Sequence, residues 1–197
     1  MAVLRQILPG HSRPRFRGKA RALLALLAGL WFTPAPAQSA AFDEYHVKAV
    51  FLFNFTLFTQ WPASAFAAPD TPLVIGVLGD DPFGPHLDNV VRGEKVNDHP
   101  VLVRRFRRPE EAVGCHVVFI GRSESSRLDQ VFSVLARLPV LTVGEMDEFA
   151  TRGGMIRFVT ERNKTRLRIN VGATRAAGLT LSSKLLRPAE LVGEIKE

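Results

Sequence analysis

The chain has 197 residues, and its 26 Lys and Arg exceed its 19 Asp and Glu to give a formal net charge of +7. Six of the basic residues (Arg5, Arg13, Arg15, Arg17, Lys19 and Arg21) fall in the first 39 positions, which hold no acid, so 20 bases face the same 19 acids in the remainder, a net of +1. With that leader set aside, overall charge excludes a nucleic-acid reading, which needs a retained positive surface.

The leader itself reads as a secretory signal. The apolar run Ala22 to Phe32 is 11 residues long, too short to span a bilayer, and Thr33-Pro-Ala-Pro-Ala-Gln-Ser-Ala40 supplies small residues for a cut after Ala37 or Ser39. It has no Arg-Arg pair, which favours the general export route, and no cysteine for lipid anchoring. Residues 1–39 are therefore expected to be a cleaved signal peptide and 40–197 a single domain in the periplasm, away from cytoplasmic nucleotide pools. That length suffices for one proper core. Cys115 is the only cysteine, so no internal disulfide forms, and its apolar setting Cys-His-Val-Val-Phe-Ile predicts a buried, inert thiol.

Asp43-Glu44 is expected to open a helix running to Trp61 and closed by Pro62, with Val47, Val50, Phe51, Phe55, Phe58 and Trp61 at helical spacing. Ala49, Leu52, Phe53 and Leu57 make its other faces apolar as well. Core packing is the first reading of that pattern, and a homodimer contact through this helix is the second. Leu73-Val-Ile-Gly-Val-Leu78 reads as a strand buried on both faces. A turn over Gly79-Asp80-Asp81-Pro82-Phe83-Gly84 leads to a short helix ending near Val91, with Asp81 as its expected cap and Pro82 at its first position. Strands follow over Pro100–Phe106, His116–Ile120 and Pro139–Val143, with a helix from Ser123 to Leu138 capped by Ser123. Met155–Thr160 and Thr165–Asn170 then form a half-exposed antiparallel hairpin: Ile156, Phe158, Leu167, Ile169 and Val171 point inward, and Arg157, Arg166 and Arg168 outward. Ala173–Ala177 is a short helix stopped by Gly178. The predicted class is α/β: one domain, a mixed sheet with helices packed on it, ending in the hairpin.

Candidate chemistry is sparse. Asp80 and Asp81 follow a buried strand, where α/β folds place ligand loops, but no P-loop lysine accompanies them. Gly121-Arg-Ser-Glu-Ser125 lacks the second glycine of a nucleophile elbow. His46, His86, His99 and His116 are scattered without metal-ligand spacing, so neither a metal nor a cofactor is expected, and no catalytic residue is assigned. Arg104-Arg-Phe-Arg-Arg108 is the densest basic cluster and reads as a solvated strand end. The Arg157, Arg166 and Arg168 face is more informative, because adjacent guanidinium groups repel unless acids or an anionic partner lie opposite.

Several segments together carry a family resemblance. They are Asp43-Glu-Tyr-His-Val-Lys-Ala-Val-Phe-Leu-Phe-Asn-Phe with Gln60-Trp-Pro, Val74 to Gly84, Cys115 to Ile120, Gly153-Gly-Met-Ile-Arg-Phe158, and Ile169 to Leu186. The set resembles the YfiR family of exported bacterial proteins. That resemblance implies a periplasmic regulator that binds the periplasmic domain of a membrane diguanylate cyclase and holds it off, limiting cyclic-di-GMP output and biofilm formation. It also implies an OmpA-like outer-membrane lipoprotein as a second partner, one that sequesters the repressor. Some relatives carry cysteine pairs; Cys115 alone rules out that internal redox control here. The partner surface implied is the hairpin and its neighbours: Phe149, Glu161, Leu167 and Leu185, with Arg166 and Arg168 as electrostatic support. The competing reading is a periplasmic small-ligand sensor with its site at Asp80 and Asp81.

Overall fold

A computed structural model describes residues 37–162 and 164–193, with side chains from Glu44 onward; most of the predicted signal peptide lies outside the described residues. The first helix, α1 (Ala37–Phe58), begins six residues before the acidic pair expected to open it. It also ends three residues before Trp61, because Thr59–Gln60 form a short strand, β1. Its partner is β9 (Thr180–Leu181), in antiparallel register Thr59 to Leu181.

The main sheet is built from β2 (Leu73–Leu78), β3 (Lys95–Val96), β4 (His99–Phe106), β5 (Val117–Ile120), β6 (Leu141–Gly144), β7 (Ile156–Glu161), β8 (Lys164–Asn170) and β10 (Glu190–Val192). Their spatial order is β10-β8-β7-β6-β5-β2-β4-β3. β4, β2, β5, β6 and β7 are mutually parallel, and β7 and β8 form the expected antiparallel hairpin. Numbered by themselves in chain order, the five parallel strands run 2-1-3-4-5, the order of doubly wound α/β folds. The hairpin does not end the sheet, as the sequence suggested. After α4 (Val171–Ala176) and α5 (Ser183–Leu186), β10 adds parallel to β8 and becomes the edge.

The continuous apolar runs of β2, β5 and β6 follow from covering both faces of the sheet. Leu73, Ile75 and Val77 join Val117, Phe119, Leu141, Val143, Ile156, Phe158, Leu167 and Ile169 on one face, beneath α1 (Ala49, Leu52, Phe55) and α2 (Pro85–Val91; Leu87, Val91). Val74, Leu78, Val118 and Ile120 point the other way, under α3 (Leu128–Leu135) with Val131, Phe132 and Leu135. Stacked rings fix α1 to the hairpin, with Phe55 and Phe158 centroids 5.8 Å apart. Val47, Val50 and Leu57 on the far side of α1 remain exposed, so this helix is only partly sandwiched.

Two expected caps are replaced by other contacts. Asp81 Oδ1 accepts from the Phe83 N–H, an Asx-type turn, and lets Phe83 plug the core; α2 starts later, after Gly84, with Pro85 at its first position. Residues Arg122–Arg127 form a 3-10 turn before α3, and Ser123 Oγ accepts from the Asp80 N–H across the sheet edge instead of capping the helix. Asn170 does cap α4, its side chain accepting from the Ala173 N–H.

Candidate functional site on the hairpin face

The β7–β8 register sets Arg157 opposite Arg168 and Val159 opposite Arg166 on the outer face. Two of these guanidinium groups are neutralised from outside the hairpin. Arg157 pairs with Asp147 and Arg168 with Glu190 of β10, the latter at 2.8 Å. Glu161, the acid within the hairpin itself, takes neither role. Arg166 is exposed, and among the described residues no carboxylate pairs with it. It borders a groove of about 260 Å³ lined also by Val159, Glu161, Leu167 and the Arg187–Glu190 segment. The groove exists because β10 packs beside β8 and brings Pro188 and Ala189 over the hairpin. A largely polar cleft beside an uncompensated cation suits an acidic or polar peptide segment.

Of the residues expected at the partner surface, Glu161, Arg166 and Leu167 meet in this groove, and Arg168 joins it through Glu190. Leu167 contributes from beneath, being 6% exposed and part of the core. Leu185 is buried in the same core as Leu167, whereas Phe149 is buried on the opposite side of the sheet. Phe149 is a structural wedge. A Cβ on Gly144 would lie 2.5 Å from its ring, and one on Gly154 would enter the ring's other edge, so two glycines form its slot. None of these buried side chains is accessible to a partner in the folded domain.

Asp80 and Asp81 do lie at the carboxyl edge of the parallel strands, beside the crossover point between β2 and β5. Their charges are engaged: Asp80 pairs with Arg107 at 2.8 Å and Asp81 with Arg105 at 2.7 Å, while Arg105 also holds Asp88. Arg108 pairs with Glu111. The basic cluster at the end of β4 is thus largely cancelled by acids from neighbouring turns, which is why it presents little net field.

A buried ionic cluster went unnoticed in the sequence. Glu145, just after β6, accepts from Lys48 Nζ (2.5 Å), Tyr45 Oη (2.9 Å) and Arg122 Nε (2.7 Å), and Lys48 also reaches Glu44 at 2.7 Å. Burial alone would raise the Glu145 carboxyl, but the hydrogen bonds, led by Lys48, outweigh it and hold the group below the usual range. Tyr45 is pushed up to about 12, first by burial and then by Glu145. Only the i, i+4 spacing of Glu44 and Lys48 signalled any of this; Glu145 lies 97 residues away from Lys48. The cluster clamps α1 to the sheet edge and is a fastening; Arg122 also borders a cleft of about 280 Å³ lined by Ser125, Met146, Asp147 and Arg152. Among the described residues no group of three or more His, Cys, Asp or Glu could hold a metal, and no helix is long and apolar enough to cross a membrane. Cys115 is buried, its thiol pushed up to about 11 by that burial.

A family model described as YfiR/HmsC-like matches residues 45–190, which includes α1 from Tyr45, the whole parallel sheet and the hairpin. A search of curated proteins finds no match. Among solved structures, a conserved domain protein from Vibrio cholerae O1 biovar eltor str. N16961 shares 10% identity, with a TM-score of 0.47 over 60% of this chain. The alignment spans 54% of that chain, about half its length, and carries no functional argument.

Proposed function

Because the chain belongs to the YfiR/HmsC-like family, whose members are periplasmic regulators in cyclic-di-GMP signalling, we propose that it represses an inner-membrane diguanylate cyclase by binding that enzyme's periplasmic domain. It reaches the periplasm by loss of residues 1–39 and acts by binding, without a cofactor or a catalytic step. Repression lowers cyclic-di-GMP and biofilm formation, and an OmpA-like outer-membrane lipoprotein competes for the repressor.

The observation that supports the hairpin as the contact is Arg166. Its two neighbours on the same face are compensated, whereas it stands uncompensated beside a largely polar groove. An acidic side chain of the partner would complete the charge pattern that the protein leaves open. The test measures binding of the purified periplasmic domain of a membrane cyclase from the same cell to wild type and to Arg166→Glu. Charge reversal should weaken binding about tenfold or more and raise cellular cyclic-di-GMP. Unchanged affinity in a variant that melts like wild type overturns the assignment of this face.

A further inference from the structure

At the opposite, amino-terminal edge of the parallel sheet lies a cavity of about 310 Å³, at the small end of the size of ligand pockets. Thr56 at the end of α1, Thr59 and Gln60 of β1, Trp61, Phe66, Leu73, and the β3–β4 turn with Asn97 and His99 line it. Three features of this lining bear on what could occupy it. First, it contains no Asp, Glu, Lys or Arg. Second, the Thr59 hydroxyl is buried and has no hydrogen-bond partner, in a residue only 6% exposed. Buried hydroxyls are normally satisfied, so an orphan at a cavity wall marks a place where an incoming polar group would bond. Thr56, by contrast, already donates to the Phe53 carbonyl at 2.6 Å. Third, other polar groups of the lining have hydrogen-bonding capacity to spare. Among the described residues neither the Gln60 nor the Asn97 amide bonds to protein. His99 Nδ1 lies 2.7 Å from the Thr71 carbonyl, which can only accept, so Nδ1 donates there and Nε2 is left for another partner.

We infer that this cavity binds an uncharged, polyhydroxylated molecule of monosaccharide size. Donors and acceptors spread around the wall, with no formal charge, match several hydroxyl groups better than a carboxylate, phosphate or ammonium, which would enter without a counter-charge. Of the two carbocyclic aromatic side chains in the lining, Trp61 and Phe66, the second offers a flat heterocycle no open face. Phe66 is stacked between His99 (centroids 4.1 Å) and His116 (4.5 Å), so its two faces are covered and only its edge is free. This inference is independent of the hairpin reading. It also places a small-molecule site away from Asp80 and Asp81, whose carboxylates are tied up in ion pairs.

The experiment is calorimetric titration of the protein with glucose, galactose, ribose and myo-inositol, alongside glucuronate and glucosamine as charged probes of matching size. At least one neutral probe should bind with a dissociation constant of about 1 mM or tighter, and the charged probes about tenfold more weakly. Thr59→Val keeps the shape and removes the hydroxyl. Asn97→Gly removes the amide at a position whose φ of +49° glycine accepts. Each should weaken binding about tenfold, and Thr59→Val should melt no lower than wild type without ligand, since it deletes an unpaired hydroxyl. Failure of all four neutral probes to bind below about 10 mM overturns the inference. So does stronger binding of a charged probe, or undiminished binding in the two variants.

Discussion

Replacing Lys48 with Met is the sharpest test of how α1 is held. The side chains of Lys48 and Glu145 are each 3% exposed, so water screens the pair little. Deleting one partner of such a pair generally costs about 3–5 kcal/mol, because the other charge is left buried. Glu145 would keep Tyr45 and Arg122 as donors, which sets the expectation at the lower end, about 3 kcal/mol. For a domain of this size that corresponds to a melting temperature lower by about 6–12 °C. Urea unfolding followed by circular dichroism reads the loss directly. A pH series adds a second check. The folded-state value of Glu145 lies below its ordinary one, so its contribution is complete above the unfolded-state pKa of about 4.3 and disappears as pH falls through the folded value. Without Lys48, burial is no longer outweighed by the leading donor, and the carboxyl of the variant titrates higher. The gap between wild type and variant is therefore widest near neutrality and closes below about pH 4. Adding Glu145→Gln to Lys48→Met should restore part of the loss, with a coupling of about 1 kcal/mol or more. A loss under about 1 kcal/mol, the size of a surface pair, or strict additivity in the double variant, would refute the clamp.

Gly154→Ala pushes a methyl into the Phe149 ring and should cost about 1–3 kcal/mol, read by thermal melting; a melt equal to wild type would show that the wedge is loose. Leu167→Asp buries a carboxylate in the core and should lower the urea midpoint steeply, whereas Arg166→Ala, at an exposed site, should stay within about 0.5 kcal/mol of wild type; the reverse ranking would mean the hairpin is turned over. Cys115 should resist an aromatic disulfide reagent at pH 8 in the folded protein and react fully in denaturant, since burial pushes its thiol up to about 11. Rapid native labelling would place the β5 end at the surface.

Periodicity made the central elements readable. The unbroken runs of β2 and β5 and the inward–outward alternation of Ile156, Phe158, Leu167 and Ile169 predicted both the doubly covered sheet and the phase of the hairpin. Features made by residues distant in sequence were not readable. β1 and β9 have two residues each, too few to carry a pattern, and exist only because they meet. Nothing local told Arg105 and Arg107 apart from a free basic patch, since their acids sit 17 to 27 residues away. Half the candidate site was legible for the same reason. Charge and alternation put Glu161, Arg166 and Arg168 outside, but that Phe149 and Leu185 are buried in the core depends on packing from elements the sequence could not place.

The β1–β9 pair has a consequence for how the molecule comes into being. The Phe58 carbonyl at the end of α1 accepts from the Ser182 N–H at 2.8 Å, and Thr59 and Gln60 pair with Leu181 and Thr180. The first described helix is thus finished by a segment more than a hundred residues downstream. Such non-local closure makes folding slow, because chain entropy is lost before the contacts that reward it form. Until residues 180–182 have emerged and docked, the end of α1 lacks these partners and apolar surface is open to proteases and to other chains. A clip near Gly178 would therefore loosen the end of a helix more than a hundred residues away in sequence while sparing every strand between them.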